Sequence, residues 1–420
     1  MITARRPLRR RLLSIAPALA TAAVLAACAS PGASGGPDAA SDSSPPDAAE
    51  AEVATTRIVA TYDGGVLVLD GASLEVVDDL PLDGFLRVHP AGDGRRVLVS
   101  TDDAFRVLDT GVRVEAHGDH DHYFAVAPEL TELAFPASHP GHVMTNADVT
   151  ALFADGTGEM QLYGRDDLRN ARDLSDVDPD VHASTAAHHG VVVPLEGGGL
   201  LTTIGDETTR TGAAALDAEG AELARTDACP GVHGAAVAAA GAVVLGCEDG
   251  AIVWNGAAFT KAQAADPYGR IGNQAGSAES RIVLGDYKVD PDADLERPTR
   301  VSLIDTGSAT IRLVDLGTSY SFRSLARGPE GEALVLGTDG AIHVLDPATG
   351  ESVERIEVVD AWTEPAEWQQ PRPAIEVHGD RAYVTDPAAS SIHVVDLSTG
   401  TVTATAEVPH VPNELSSVGS

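Results

Sequence analysis

A short apolar run closing on aspartate recurs along this chain, and a unit repeated in this way restricts the fold more than any other feature. It is clearest at Val66–Asp70, Phe105–Asp109, Ile342–Asp346 and Ile392–Asp396, and looser at Ala251–Asn255 and Val301–Asp305. A turn follows, such as Pro347-Ala348-Thr349-Gly350 or Leu397-Ser398-Thr399-Gly400, and then a further strand such as Val402–Val408. Another strand precedes the marker, as at Ala333–Leu336 and Ala382–Thr385. No long stretch has helical periodicity, and the 42 glycines punctuate strand after strand. The expected fold is all-β: a β-propeller of four-stranded blades around a central channel. About eight units are countable, beginning near residues 57, 84, 124, 187, 232, 275, 320 and 372, the sixth being irregular. The tail Val411-Pro412-Asn413-Glu414-Leu415 has no unit of its own to complete, so it is expected to supply the innermost strand of the first blade and close the ring.

The unit begins only near residue 57, and the segment before it reads as an export address. Arg5, Arg6, Arg9, Arg10 and Arg11 form a basic region, and Leu12–Val24 is an apolar run too short to span a bilayer. Leu25-Ala26-Ala27-Cys28 then has the form of a lipobox. Residues 1–28 are therefore expected to be a lipoprotein signal peptide, with Cys28 lipidated and the protein held on the outer face of the plasma membrane, in a cell-envelope location. An ordinary signal peptide cleaved nearby is the alternative. Residues 29–55, rich in Ala, Ser, Pro, Gly and Asp, lack the apolar mass to fold and read as a flexible tether to the propeller of 56–420. Outside the cytosol the two remaining cysteines, Cys229 and Cys247, are expected to pair, a pair of metal ligands being the alternative. The formal charge of −35 excludes nucleic acid and anionic lipid as surface partners and favours basic or cationic ones.

The histidines carry the chemistry. His117-Gly118-Asp119-His120-Asp121-His122 places three imidazoles and two carboxylates in six residues, and Gly118 marks the stretch as a loop. His142, His189 and His233 each stand at the entry to a unit. The entry of a blade's innermost strand faces one mouth of the channel, so histidines at this phase in consecutive blades converge on one rim, as a tetrahedral metal requires. His188 is a neighbour or substitute for His189. On this count of units the His-rich loop immediately precedes the third unit and so lies beside the same rim, as a ligand group able to swing. His343 and His393, inside marker strands, read as structural; His89 and His378 read as solvated turn residues, and His182 and His410 as surface histidines.

The order of these motifs resembles the AztD-type periplasmic zinc chaperones. The resemblance is carried by His117-Gly118-Asp119-His120, by Ser138-His139 to His142, by His188-His189-Gly190 to Leu195, by Ala228-Cys229 to His233-Gly234, by Arg372-Pro373 to Pro387, and by Val411–Leu415. It implies an eight-bladed propeller that binds Zn²⁺ and delivers it to the solute-binding protein of a zinc ABC importer, with no enzymatic activity and a monomeric state. The ligands it implies are His120 or His122 together with His142, His189 and His233, with Asp119 and Asp121 as loop ligands or supporting groups; His139 and His142 are spaced so that they can exchange roles. A propeller enzyme of the lactonase or metal-dependent hydrolase type, and an interaction propeller without metal, are the other classes the fold accommodates. Protonated imidazole cannot ligate, so zinc affinity is expected to fall below about pH 6.5. The phase argument predicts that His233→Ala weakens zinc binding, measured by competition titration, far more than His393→Ala; equal losses would contradict it.

Overall fold

The computed structural model describes residues 49–51, 54–118 and 120–419. The signal peptide, the lipobox Cys28 and most of the proposed tether lie outside the described residues, as does Asp119. Among the described residues strands dominate, with one short α-helix at Arg165–Asn170. Among the described residues, eight sheets of four consecutively paired strands form the blades of a propeller. Their innermost strands are Leu415–Val418, Arg87–Pro90, Pro140–Asn146, Val192–Pro194, His233–Val237, Gln274–Ser277, Tyr320–Arg327 and Ile375–His378. The ring closes as expected: Leu415–Val418 pairs antiparallel with Arg57–Tyr62, Val59 opposite Ser416.

Stacking of the blades explains why only part of each unit is visible as a repeat. The second and third strands of a blade are covered on both faces by its neighbours, so they read as unbroken apolar runs. Arg57–Tyr62 and Gly65–Asp70 are buried almost throughout. The outer strands Val76–Pro81 and Thr401–Glu407 are largely exposed and carry little apolar signal. The aspartate that closes the marker strand caps the next turn. Asp346 Oδ1 accepts from the backbone N–H groups of Ala348 and Thr349, and Asp396 Oδ1 does the same for Ser398 and Thr399. Cys229 and Cys247 form a disulfide with Cα atoms 5.0 Å apart, within the core of the fourth and fifth blades.

Several sequence expectations change. The third unit begins at Pro140 and not near residue 124. Residues 112–125 form a hairpin, Val112–His117 paired with His120–Ala125, inserted between the third strand of the second blade (Ala104–Asp109) and its outer strand (Glu129–Pro136). Ala49–Ala51, counted within the tether, adds to this hairpin as a third strand. His89 and His378 are not in turns but in the innermost strands Arg87–Pro90 and Ile375–His378, where burial lowers the pKa of both, that of His89 to about 4.

Glu376 lies on the innermost strand of the eighth blade and binds the closing strand: its Oε1 accepts from the Ser417 N–H at 3.2 Å and the Ser417 hydroxyl at 2.7 Å. Burial raises its carboxyl to about 7 from an ordinary 4.5. A raised carboxyl pKa means that the folded state holds its proton where the unfolded chain has lost it. Stability from this group is present below about pH 4.5 and declines as pH rises through about 7. Glu376→Gln is therefore expected to raise Tm by a few degrees at pH 8 and to leave it unchanged at pH 4.5, measured by calorimetry; an equal shift at both values would contradict it.

Candidate metal centre

Six of the described histidines gather into two groups of three, not one group of four. His142, His189 and His233 form the first, with potential ligand atoms all within 4.8 Å of one another. They come from the third, fourth and fifth blades, at the entries of three adjacent innermost strands. Two of these entries depart from regular pairing at the histidine itself. The register shifts between Pro140 and Val143 and again between His233 and Ala235, and Gly234 has φ of +66°. A bulge of this kind redirects a side chain that ordinary pleating would send elsewhere.

Each ring is held through Nδ1. His142 Nδ1 bonds the Gly190 carbonyl at 3.0 Å, and His233 Nδ1 the Gly272 carbonyl at 2.6 Å. His189 Nδ1 bonds Asp155 Oδ2 at 2.5 Å, and Asp155 Oδ1 accepts from the Gly190 N–H at 3.3 Å. In all three the partner is an acceptor, so Nδ1 carries the proton and Nε2 is left with its lone pair. The Nε2 atoms of His189 and His233 lie 3.1 Å apart, and the ring centroids of the trio are separated by 4.8, 5.0 and 5.5 Å. Gly141 makes room for this arrangement: a Cβ there would collide with the Asp155 carboxylate. The donor set, three neutral imidazoles with oriented Nε2 atoms, fits Zn²⁺ and leaves one tetrahedral position for an outside ligand.

The second group lies at the tip of the hairpin. His117 Nδ1 is 3.3 Å from His122 Nε2, and His120 Nε2 is 3.2 Å from the same atom. His117 stands opposite His120 in the pairing, and His122 follows on the same face. Asp121 alternates to the other face, so it is not among these rings. The hairpin does not spring from the rim that carries the first group. Strand direction alternates within a blade, so a connection after the third strand leaves from the face opposite the entry of the first. A cavity of about 680 Å³ at the hairpin's base agrees, because it is lined by Gly92–Arg95 and Gly419, which follow the exits of innermost strands.

The remaining candidates separate cleanly. His188 is buried with both nitrogens engaged, Nδ1 on the Ala186 carbonyl and Nε2 on the Thr203 hydroxyl, which removes it as a ligand. His139 stands in a turn with φ of +52°, next to Ser138 and outside the trio. His343 and His393 bond to Asp339, and to Ser391 and Thr405, respectively. Asp155 was not foreseen: it sits in an ordinary turn after a strand, and only the folded chain brings it to His189.

No family model matches the chain. The zinc chaperone AztD of Citrobacter koseri is 27% identical over 326 residues, which is 74% of this chain and 73% of that protein. The crystal structure of Citrobacter koseri AztD, and a second structure of it described as apo, each superpose with a TM-score of 0.74 at 24% identity, covering 88% of this chain and 99% of theirs. The dihydro-heme d1 dehydrogenase NirN shares the fold alone, with a TM-score of 0.54 at 14% identity, over 86% of this chain and 74% of NirN. The AztD-type resemblance read from the motifs is borne out over about three quarters of the chain.

Burial holds His142 and His233 well below the ordinary imidazole value, His233 at about 3, with neighbouring imidazoles and arginines adding to the effect. Both therefore stay neutral in mild acid. These two rings do not limit metal binding at pH 6.5, and zinc release on acidification is expected at lower pH than free imidazole would give. The same depression costs stability as pH falls from about 6.5 towards about 3, because the unfolded chain takes up protons that the folded one refuses. Asp155→Asn removes the carboxylate that orients His189 and is expected to weaken zinc binding about 10- to 100-fold in a competition titration; unchanged affinity would contradict the assignment.

Proposed function

We propose that this protein is an extracytoplasmic zinc carrier whose cargo site is the His142–His189–His233 rim, and that it delivers Zn²⁺ to the solute-binding protein of a zinc ABC importer. The observation that carries this reading is the convergence of Nε2 atoms with all three Nδ1 atoms already bonded. Such rings need no reorganisation to accept a metal, which favours affinity. Three protein ligands leave the fourth position to a ligand from outside the chain, which lets an incoming ligand displace the metal stepwise, as a carrier requires and a closed four-ligand structural site prevents. The name of its relative, a zinc chaperone, supports carriage over catalysis.

The hairpin trio His117, His120 and His122 is the second place for zinc. It is more exposed than the rim, and its three rings come from one hairpin and not from three blades. In this reading the hairpin collects or passes on metal at lower affinity, and the rim stores it. Export by the segment 1–28, lipid attachment at Cys28 and action as a monomer at the envelope surface complete the proposal. They rest on the sequence.

Zinc titration of residues 29–420 tests the assignment. Wild type is expected to hold one zinc tightly and a second more weakly. Replacing His142, His189 and His233 by Ala removes the tight site, whereas replacing His117, His120 and His122 removes only the weak one. Loss of tight binding in the hairpin variant alone would reverse the roles, and no zinc in wild type would overturn the function.

A further inference from the structure

The hairpin inserted in the second blade carries an open strand edge. Its sheet has the order Ala49–Ala51, His120–Ala125, Val112–His117, so among the described residues Val112–His117 is paired on one side only. The Val126 N–H donates to the Gly111 carbonyl at 3.0 Å, which fixes the alternation of the ladder. The backbone groups of Arg113 and Glu115 therefore turn towards His120–Ala125, and those of Val112, Val114 and Ala116 turn away from it. None of these outward groups has a backbone hydrogen bond among the described residues. Natural proteins cover, shorten or bulge such an edge. Here the strand is six residues long with unbroken register, and Val112 to Glu115 form one wall of the cavity of about 680 Å³ at the hairpin's base.

The cavity is basic. Arg165 and Arg169, four residues apart on one face of the short helix, line it together with Arg95 and with Arg113 of the edge strand itself. Carboxylates answer part of this charge. Arg95 is bound to both carboxylate oxygens of Asp109, a fixed pair. Arg165 meets Asp148 at 2.6 Å and Arg169 meets Asp166 at 3.7 Å, but these pairs are exposed and therefore weak and exchangeable. In the lining itself, Asp93 Oδ1 accepts from the backbone N–H groups of Arg95 and Arg96 at 2.9 and 2.7 Å, and Glu115 is exposed. Arg113 has no hydrogen bond or ion pair among the described residues, and its Nε is buried without a partner. The lining thus holds four cations against two carboxylates, in a chain whose formal charge is −35.

We propose that this groove receives an extended acidic segment of the protein that exchanges metal with the hairpin, added as a further strand to the open edge. The segment's main chain supplies the hydrogen bonds that Val112, Val114 and Ala116 lack. One of its carboxylates reaches Arg113, and others meet Arg165 and Arg169. A second copy of the chain is disfavoured as occupant, because each copy brings a formal charge of −35. The edge strand ends at His117, so a segment paired along it lies next to the trio His117, His120 and His122. Docking here sets the partner's donors beside the exposed metal place and not at the rim. The identity of the occupant as a metal-exchange partner rests on the carrier reading above; the open edge and its chemistry do not.

The probe is a heptapeptide of alternating Asp and Val, blocked at its N-terminus and fluorescein-labelled at its C-terminus, titrated into the chain from residue 29 and read by anisotropy. Wild type is expected to bind it saturably, and to bind a peptide of alternating Lys and Val about tenfold more weakly. N-methylation of the peptide's valines removes the main-chain donors of one phase, and N-methylation of its aspartates those of the other. One phase is expected to weaken binding about tenfold and the other to leave it unchanged. Loss with the valines reports antiparallel addition and loss with the aspartates parallel addition, and either supports the proposal. Val114→Pro removes an outward donor and Arg113→Gln the free cation; each is expected to weaken peptide binding about tenfold while zinc still binds at the hairpin trio. No binding of the acidic peptide, equal effects of the two N-methylation phases, or binding indifferent to both variants overturns the proposal. So does a concentration-dependent dimer abolished by Val114→Pro, which makes a second copy the occupant, or binding that emerges only after residues 29–45 are removed, which makes the chain's own leader the occupant. Peptide binding to a protein that takes up no zinc overturns the carrier reading and leaves the edge as a docking site.

Discussion

Each rim imidazole is gripped through Nδ1, and the rest of the site depends on that. A histidine free to rotate offers either nitrogen and loses rotational freedom on binding. Here a backbone carbonyl or a carboxylate has already fixed tautomer and direction. Two of the three acceptors are glycine carbonyls, from Gly190 and Gly272, located at the entries of the next blades. Blade stacking therefore aims the rings: the fourth blade's entry orients the third blade's histidine, and the sixth blade's entry that of the fifth. Metal binding in this account reads out the packing of the ring.

The same packing sets the acid behaviour of the site. Enclosure between blades penalises the imidazolium, so His142 and His233 remain neutral where free histidine would be charged. The arginines at the rim act in the same direction. The protein thus spends stability at low pH to keep two ligands ready, a compromise typical of functional sites. Elsewhere the ring is held by ordinary means: apolar faces between blades, aspartate-capped turns, a disulfide across the fourth and fifth blades, and a closing strand.

Legibility of the fold in the sequence followed burial. Strands covered on both faces, such as Val66–Asp70 and Ile342–Asp346, announced themselves as apolar runs, and their spacing was enough for eight blades and the closing strand. Half-exposed outer strands did not. The hairpin strand His120–Ala125 misled for the opposite reason: its Tyr123 and Phe124 give it the look of a blade strand, and only sheet pairing reveals an insertion that belongs to the second blade. That misplacement moved the His-rich segment to the wrong face. The rim histidines were legible because phase within a repeat is a geometric coordinate, and His142, His189 and His233 share it. Asp155 was not, because its contact with His189 is 34 residues distant in sequence and follows no local pattern.

X-ray absorption spectroscopy at the zinc edge of protein loaded with one equivalent of Zn²⁺ is the most direct test of the central claim. The account predicts three imidazole nitrogens at about 2.0–2.1 Å with one further light ligand, unchanged when His117, His120 and His122 are replaced by Ala. A sulfur ligand, a sphere made mainly of carboxylate oxygen, or an imidazole signal that vanishes with the hairpin histidines would contradict it.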